Sequence, residues 1–179
     1  MKRNIFISVI LTTLISLNVN SAQAINFSKI ELKNISLPLA IKDDYLDYVC
    51  DANYADDLFF DSYFRYSDSY FTQVNYAQNW SQFWNDGQNV INNNKSWAKW
   101  MKAKKKNFPK GAQKNVTKMI NQLNYQNDII VALFNSTSFE NVGVEWSNYR
   151  RANIVTGNLS GKLRKSLKLP ARDGNGGCP

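Results

Sequence analysis

The chain has 179 residues, 22 of them Lys or Arg and 14 Asp or Glu, and because it contains no histidine its formal net charge is +8. The missing histidine excludes Ser–His and Cys–His nucleophile–base pairs, most zinc and copper sites, and a histidine general base near neutral pH. The length predicts one domain, and the basic balance favours an acidic partner without identifying it.

The N-terminus has the pattern of a secretory signal peptide. Basic residues precede an apolar run over residues 5–17, and Ala22 and Ala24 have the spacing of a cleavage site. We therefore expect residues 1–24 to be removed, leaving residues 25–179 as a mature domain in the periplasm or outside the cell. No later stretch approaches the roughly 20 apolar residues that a transmembrane helix needs.

The two cysteines, Cys50 and Cys178, predict a structural disulfide, because an even cysteine count in an exported protein usually means oxidised pairs. The bond would tie the C-terminal tail to the first predicted helix. Closing so long a loop is worth about 4 to 5 kcal/mol in the chain-entropy model. An intermolecular bond and a reactive thiol remain as alternatives.

The spacing of apolar residues predicts an all-α fold. Residues 43–71 place aromatic side chains on one side of a helix and Asp side chains on the other, without an internal Pro or Gly. Residues 74–91 repeat the amphipathic pattern, and we interpret the asparagines at residues 92–94 as a break. A turn at residues 108–111 follows, because Pro109 disfavours a helical residue before it.

The remaining chain continues the helical pattern. Residues 112–134 form the most regular predicted helix, and the Thr-Ser-Phe-Glu stretch at residues 137–140 has the form of a capping box that starts the next helix. Gly157 is expected to end that helix. Residues 158–169 then predict a short basic helix with Leu at every fourth position.

The sequence therefore predicts a single-domain bundle of about five or six amphipathic helices within residues 43–169. Loosely alternating apolar residues predict an extended N-terminal arm or a short strand over residues 25–42, and residues 170–179 are expected to form a disulfide-tied loop tail. Asn127 lies on the apolar stripe of its helix, so it must find a hydrogen-bond partner in the core or lie at a wet edge.

The main basic run contains nine lysines between Lys95 and Lys118 and no acidic residue. At 100° per residue, four of these lysines lie within a band about 60° wide, roughly opposite Trp97, Trp100 and Met101. We therefore expect the tryptophans to face the core and not to alternate with lysines at the surface. Like charges at this spacing destabilise a helix by roughly 0.2 to 0.5 kcal/mol per pair, so the stripe is mildly costly without a partner.

Three interpretations of this run are open: a solvated face partly compensated by the acidic helix, a surface for an anionic ligand, and a surface for an acidic protein. The anionic ligands considered are envelope phosphate polymer, lipid head groups and nucleic acid. The export signal and the predominance of Lys over Arg disfavour nucleic acid. The candidate binding residues are Lys95, Lys99, Lys102, Lys106, Lys110, Arg164 and Lys168.

A carboxylate-dependent hydrolase of cell-wall or surface glycans is the competing hypothesis. Glu145 is its catalytic candidate, with Asp86 or Asp128 as the second carboxyl, and such a pair must lie about 5 to 9.5 Å apart in an open cleft. The alternative is that Glu145 is a surface charge. The acidic face of residues 43–68 lacks the spacing of a calcium-binding loop, so we expect no metal site and no cofactor.

These features lead us to expect an exported, non-catalytic binding protein that engages an acidic macromolecular partner through a basic face. Inhibitors, immunity-type proteins and accessory factors of secretion or surface systems are the protein types that fit. A third hypothesis is a secreted envelope- or host-directed factor whose basic helix, residues 158–169, contacts a membrane surface.

Overall fold

The computed structural model describes the backbone of residues 21–169 and the side chains of residues 41–169. This part of the chain is helical and has no strand, which confirms the predicted fold class. Two units are distinguished, Met1–Pro38 and Leu39–Pro179, and the bundle core belongs to the second. The elements are α1 (Ser21–Thr72), α2 (Tyr76–Lys104), the 3₁₀ turns Lys105–Asn107 and Lys110–Ala112, α3 (Gln113–Phe134) and α4 (Phe139–Ser166).

The described residues form four α-helices where the sequence predicted five or six, because two predicted breaks are absent. α2 runs through residues 92–94, since Asn94 is buried and its Nδ2 donates a hydrogen bond to Asn127 Oδ1 at 3.1 Å. α4 runs through Gly157, since buried residues continue its core-facing stripe on both sides. Tertiary packing therefore outweighs a helix-propensity cost of about 0.5 to 1 kcal/mol at each position.

The predicted extended arm over residues 25–42 is wrong, because the described backbone is helical from Ser21 onward. Apolar residues at positions 32, 35 and 39 also have helical spacing, and periodicity alone does not separate a short strand from a helix. Residues 1–20 of the predicted signal peptide and the predicted loop tail, residues 170–179, lie outside the described residues.

α4 begins with a side-chain cap one residue later than the sequence predicted. Ser138 is the N-cap, and its hydroxyl oxygen accepts a hydrogen bond from the Asn141 backbone N–H at 3.2 Å. Glu140 lies in the first turn, where a negative charge stabilises the positive end of the helix dipole. The cap is therefore a Ser cap without the reciprocal Glu bond of a capping box.

Short connections make sequential helices antiparallel neighbours, and aromatic and hydroxyl contacts hold them together. The Phe59 ring on α1 stacks on the Phe83 ring of α2 with centroids 4.9 Å apart. The Tyr45 hydroxyl on α1 donates to the Ser160 carbonyl of α4 at 2.9 Å, so α4 returns to pack beside α1. The result is a four-helix arrangement in which α4 packs beside both α1 and α3.

The core consists of two apolar clusters. Tyr45, Trp97, Met101, Leu123 and Leu163 are among the buried residues of the first cluster, and the second is built mainly from aromatic rings. Each cluster takes residues from all four helices, so the bundle has two halves along its length. We call residues 41–52, 95–123 and 159–169 the lysine-rich half, and residues 53–94 and 124–158 the aromatic half.

A buried polar layer lies where the two clusters meet. Asn94 and Asn127 join α2 to α3, and the Thr156 hydroxyl of α4 donates to Gln126 Oε1 of α3 at 2.9 Å. All four side chains are at most 7 % exposed. Asn127 thus has its partner inside the core and does not lie at a wet edge. Because these polar atoms satisfy one another, sliding one helix past another would leave buried groups unpaired.

Phe59 is the centre of the aromatic half. Its ring contacts Phe83, Phe134, Trp146 and Tyr149, with centroid separations from 4.9 to 6.3 Å. Gly87 on α2 allows this packing, because a Cβ at that position would lie 2.8 Å from carbon atoms of both the Phe59 and the Phe134 rings. The glycine therefore provides space for rings approaching from α1 and α3.

A buried tyrosine joins α4 to the acidic side of α1. The Tyr149 hydroxyl donates a hydrogen bond to Asp56 Oδ1, and the tyrosine side chain is fully buried. Burial raises the pKa of the Tyr149 hydroxyl well above its usual range, and the Asp56 carboxylate raises it further. The phenol thus stays protonated and serves as a donor in the core.

Gly87→Ala should lower the free energy of unfolding by about 1 to 3 kcal/mol, because two aromatic rings would have to move. Gly143→Ala is the matched control: Gly143 is in a helix interior, and a methyl group added there would meet no other atom within 4 Å. Alanine at that position should therefore raise stability by about 0.5 to 1 kcal/mol. Urea unfolding followed by far-UV circular dichroism measures both changes. Equal stabilities for the two variants would contradict the packing described around Gly87.

Asn127→Leu should destabilise the bundle by about 1 to 3 kcal/mol, because the Asn94 amide loses its buried partner. The double variant Asn94→Leu, Asn127→Leu should recover most of that loss, since both polar groups are then removed together. A double-mutant cycle in urea gives the coupling between the two sites. Additive effects of the two single changes would show that the amide contact does not stabilise the core.

Candidate functional site

The structure brings the predicted lysines into one half of the bundle and exposes them. Lys95, Lys99 and Lys102 lie on α2, while Lys106 and Lys110 lie in the two 3₁₀ turns that follow, and all five are exposed. The binding residues predicted from the sequence leave out further exposed lysines that border these five. Most of the omitted lysines lie three or four residues from another omitted lysine in the same helix, a spacing that places both on one face. The omitted lysines are Lys104 on α2, Lys114 and Lys118 on α3, and Lys162 and Lys165 on α4.

Arg164 does not belong to the exposed basic surface, contrary to the sequence prediction. It is 4 % exposed, and it lies beside Leu163 on the buried side of α4. A separate short helix, as predicted, would not determine which way Arg164 faces. Because α4 is continuous through this region, it turns Arg164 toward the core. Lys168 is exposed and follows α4 in a left-handed conformation, with φ of 55°, that ends the helix.

Charge is strongly divided between the two halves. The lysine-rich half carries 14 Lys and Arg residues against four Asp, a net charge of +10. The aromatic half carries three Arg residues against eight Asp and Glu, a net charge of −5. The linear sequence mixes these regions, because each helix contributes to both halves, so the charge separation arises only when the helices pack.

The exposed lysines are not neutralised by neighbouring carboxylates. In the part of the chain that the structure describes, none of the eleven exposed lysines of the lysine-rich half forms an ion pair. The four Asp residues of that half all lie on α1, at positions 43, 44, 47 and 51. The predicted compensation by the acidic helix is therefore at most a long-range effect, and salt screens it over about 10 Å at 0.1 M ionic strength.

Among the side chains that the structure describes, exposed large hydrophobic ones are confined to the aromatic half. Phe64, Phe71 and Val74 are more than half exposed near the α1–α2 turn, and further exposed aliphatic and aromatic residues lie on α3 and α4. All of these residues fall within ranges 53–94 and 124–158. The described lysine-rich surface is thus charged and polar, without an apolar patch of its own.

The two tryptophans beside the lysines have different environments. Trp97 is 2 % exposed and packs against Tyr45, as predicted. Trp100 is only partly buried, and it lies against α1, where its Nε1 donates to Asp44 Oδ2 at 3.1 Å and its ring centroid is 5.2 Å from that of Tyr48. Neither indole alternates with lysines at the surface.

A groove of about 360 Å³ lies between α1 and α2 at the edge of the lysine-rich half. Its lining combines carboxylates with the two aromatic rings just described, and the residues are Asp44, Asp47, Tyr48, Asp51 and Trp100. Within the described residues, no group of three or more His, Cys, Asp or Glu side chains has an arrangement that could hold a metal ion. The groove is therefore an acidic border to the lysine surface.

The carboxyl groups proposed for hydrolysis have separate environments. Glu145 is half-buried on α4, and its Oε2 accepts a hydrogen bond from Asn148 Nδ2 at 3.1 Å. Asp86 is only 3 % exposed on α2, with Oδ1 accepting from Gln82 Nε2 at 2.9 Å, so it does not offer a carboxyl to an open cleft. Asp128 is exposed on α3.

The predicted basic helix at residues 158–169 is the end of α4, and its apolar face is already occupied. Leu159, Leu163 and Leu167 are buried in the first core cluster. The face that would enter a membrane surface is thus turned inward. Among the described residues, no helix is long and apolar enough to cross a membrane.

Comparisons with known proteins give no match from which a function could be inferred. No protein-family model matches the chain, and searches of curated proteins and of solved structures also gave no match. The features that indicate a function are therefore the exposed lysines, their lack of ion pairs within the described residues, and the exposed apolar residues of the other half.

Proposed function

We propose that the protein is an exported, non-catalytic binding protein that engages an acidic macromolecular partner through the exposed lysines of its lysine-rich half. The main support for this proposal is that eleven exposed lysines form no ion pair within the part of the chain that the structure describes. Like charges held close together repel, so an arrangement of this kind costs stability unless a partner neutralises it. Inhibitors, immunity-type proteins and accessory factors of secretion or surface systems share this mode of action.

Export is supported by the signal-peptide pattern of residues 1–24, which would direct residues 25–179 to the periplasm or the cell exterior. In that compartment the anionic macromolecules of the envelope and of cell surfaces are available to a basic protein. The proposed location thus fits the proposed chemistry.

A disulfide between Cys50 and Cys178 fits this location and the packing of the last described residues. Leu169 packs against the first core cluster, which contains Val49, the neighbour of Cys50. Cys178 lies nine positions after Leu169, and a chain of that length spans up to about 30 Å when extended. No free cysteine occurs among the described residues. The bond would hold the C-terminal tail against the bundle and stiffen the end that carries the lysines.

Charge reversal at three exposed lysines should abolish capture of the partner. Native protein and the variant Lys99→Glu, Lys102→Glu, Lys106→Glu are used as baits in envelope extract at low and high salt. We expect one acidic component to be retained at low salt, with at least about tenfold less captured by the variant and by native protein at high salt.

The matched control is Arg65→Glu, Arg150→Glu, Arg151→Glu, which makes the same change in net charge through the three exposed arginines of the aromatic half. It should retain the partner at the native level. Far-UV circular dichroism confirms that both variants fold. Equal loss in both variants would show that total charge, and not the lysine surface, controls binding, and capture of nothing by native protein at any salt would refute the proposed function.

A further inference from the structure

The lysine-rich half has only one type of exposed cation. It contains 13 Lys residues and one Arg, and that arginine, Arg164, is buried. Arginine presents a planar fork that grips a carboxylate or phosphate in a fixed orientation, whereas the lysine ammonium is a hydrated point charge on a flexible stem. A surface made of lysine alone therefore attracts negative charge without imposing a particular orientation on it.

In the same half, no Trp, Tyr, Phe, Arg or large aliphatic side chain is fully exposed to anchor a protein, a base or a lipid, and the partly buried Tyr48 and Trp100 line the acidic groove. Binding hot spots in protein interfaces are enriched in Trp, Tyr and Arg, single-stranded nucleic acids are held by stacking on aromatic rings, and membrane-surface helices insert apolar side chains. Trp97 and Phe108 are each 2 % exposed, and Trp100 is held against α1 by Asp44. Every exposed large hydrophobic residue described lies in the other half.

The lysines also cover a broad surface instead of converging on a point. They extend from α2 through the two 3₁₀ turns to α3 and the end of α4. The groove described in this half is lined by three Asp residues, so it would repel an anion and does not form a pocket for one. This groove is therefore not a site for a small anion, whereas a long chain could contact many of the lysines at once.

From these three observations, and resting on the proposed function above, we infer that the acidic partner is a flexible, non-aromatic polyanion bound by charge alone. Its repeating groups are phosphates or carboxylates, as in a phosphodiester or uronate polymer. Binding releases counterions from the polymer, so affinity depends on the number of lysines engaged and not on the identity of the anionic group.

The test uses long-chain inorganic polyphosphate and poly-glutamate, matched in charge, as labelled probes in fluorescence anisotropy. If the five lysines of α2 and the 3₁₀ turns are engaged, the slope of log affinity against log salt should be about −3.5, equivalent to a roughly 100-fold loss between 50 and 200 mM salt. Both polymers should show this slope, and orthophosphate at the same total phosphate should not compete.

The variant Lys99→Gln, Lys102→Gln, Lys106→Gln should reduce the magnitude of that slope by about 2, because three charge contacts are lost. The control Arg65→Gln, Arg150→Gln, Arg151→Gln should leave it unchanged. Single-stranded DNA of equal charge and vesicles containing anionic lipid serve as comparison ligands. Binding to either that is more than tenfold tighter than to polyphosphate would overturn the inference in favour of base or lipid contacts.

The extract experiment and the polymer experiment together separate the polyanion inference from the proposed function. If envelope extract yields a lysine-dependent partner but neither polymer binds, the partner is a structured acidic macromolecule and the polyanion inference is wrong while the proposed function stands. If extract yields nothing and neither polymer binds, both are wrong.

Discussion

The hydrogen bond between Asn94 and Asn127 in the middle of the bundle fixes how α2 and α3 align, and the Thr156–Gln126 bond does the same for α3 and α4. A shift of one helical turn, about 5.4 Å, would leave these amides unpaired between two apolar clusters. The antiparallel order of the helices brings the lysines at the end of α2, the start of α3 and the end of α4 to the same half. Core polar pairing fixes the alignment of the helices within that arrangement.

Separating charge in this way leaves lysines without local partners, and natural proteins tolerate such costs mainly where function requires them. The aromatic half is able to offset the cost, because rings packed around Phe59 bury a large apolar area. Both halves have a buried core, and the lysine-rich half also presents the surface that we propose binds an anion. This division supports the proposed binding function and makes the lysine surface separable from the core by mutation.

Much of the fold could be predicted from the sequence, because apolar spacing in residues 43–71 and 112–134 is unambiguous. The helix count was wrong where local propensity and tertiary packing disagree: asparagine and glycine suggest breaks, but Asn94 has a partner 33 residues away and Gly157 lies within a continuous buried stripe. Lysine exposure on α2 follows from helical geometry. The burial of Arg164 could not be predicted in this way, since it depends on α4 continuing past Gly157. The charge separation depends on how the helices pack against one another, which the folded structure shows.

The most direct test of the account is to map where the partner touches the protein. Isotopically labelled protein is titrated with the acidic fraction of envelope extract, and backbone amide shifts are followed by NMR. The account predicts that shifts are confined to residues 95–118 and 159–168 and disappear as salt is raised. Shifts centred on Phe64, Phe71 and Val74, or shifts that persist at high salt, would place the interface on the apolar surface of the aromatic half and contradict the central claim.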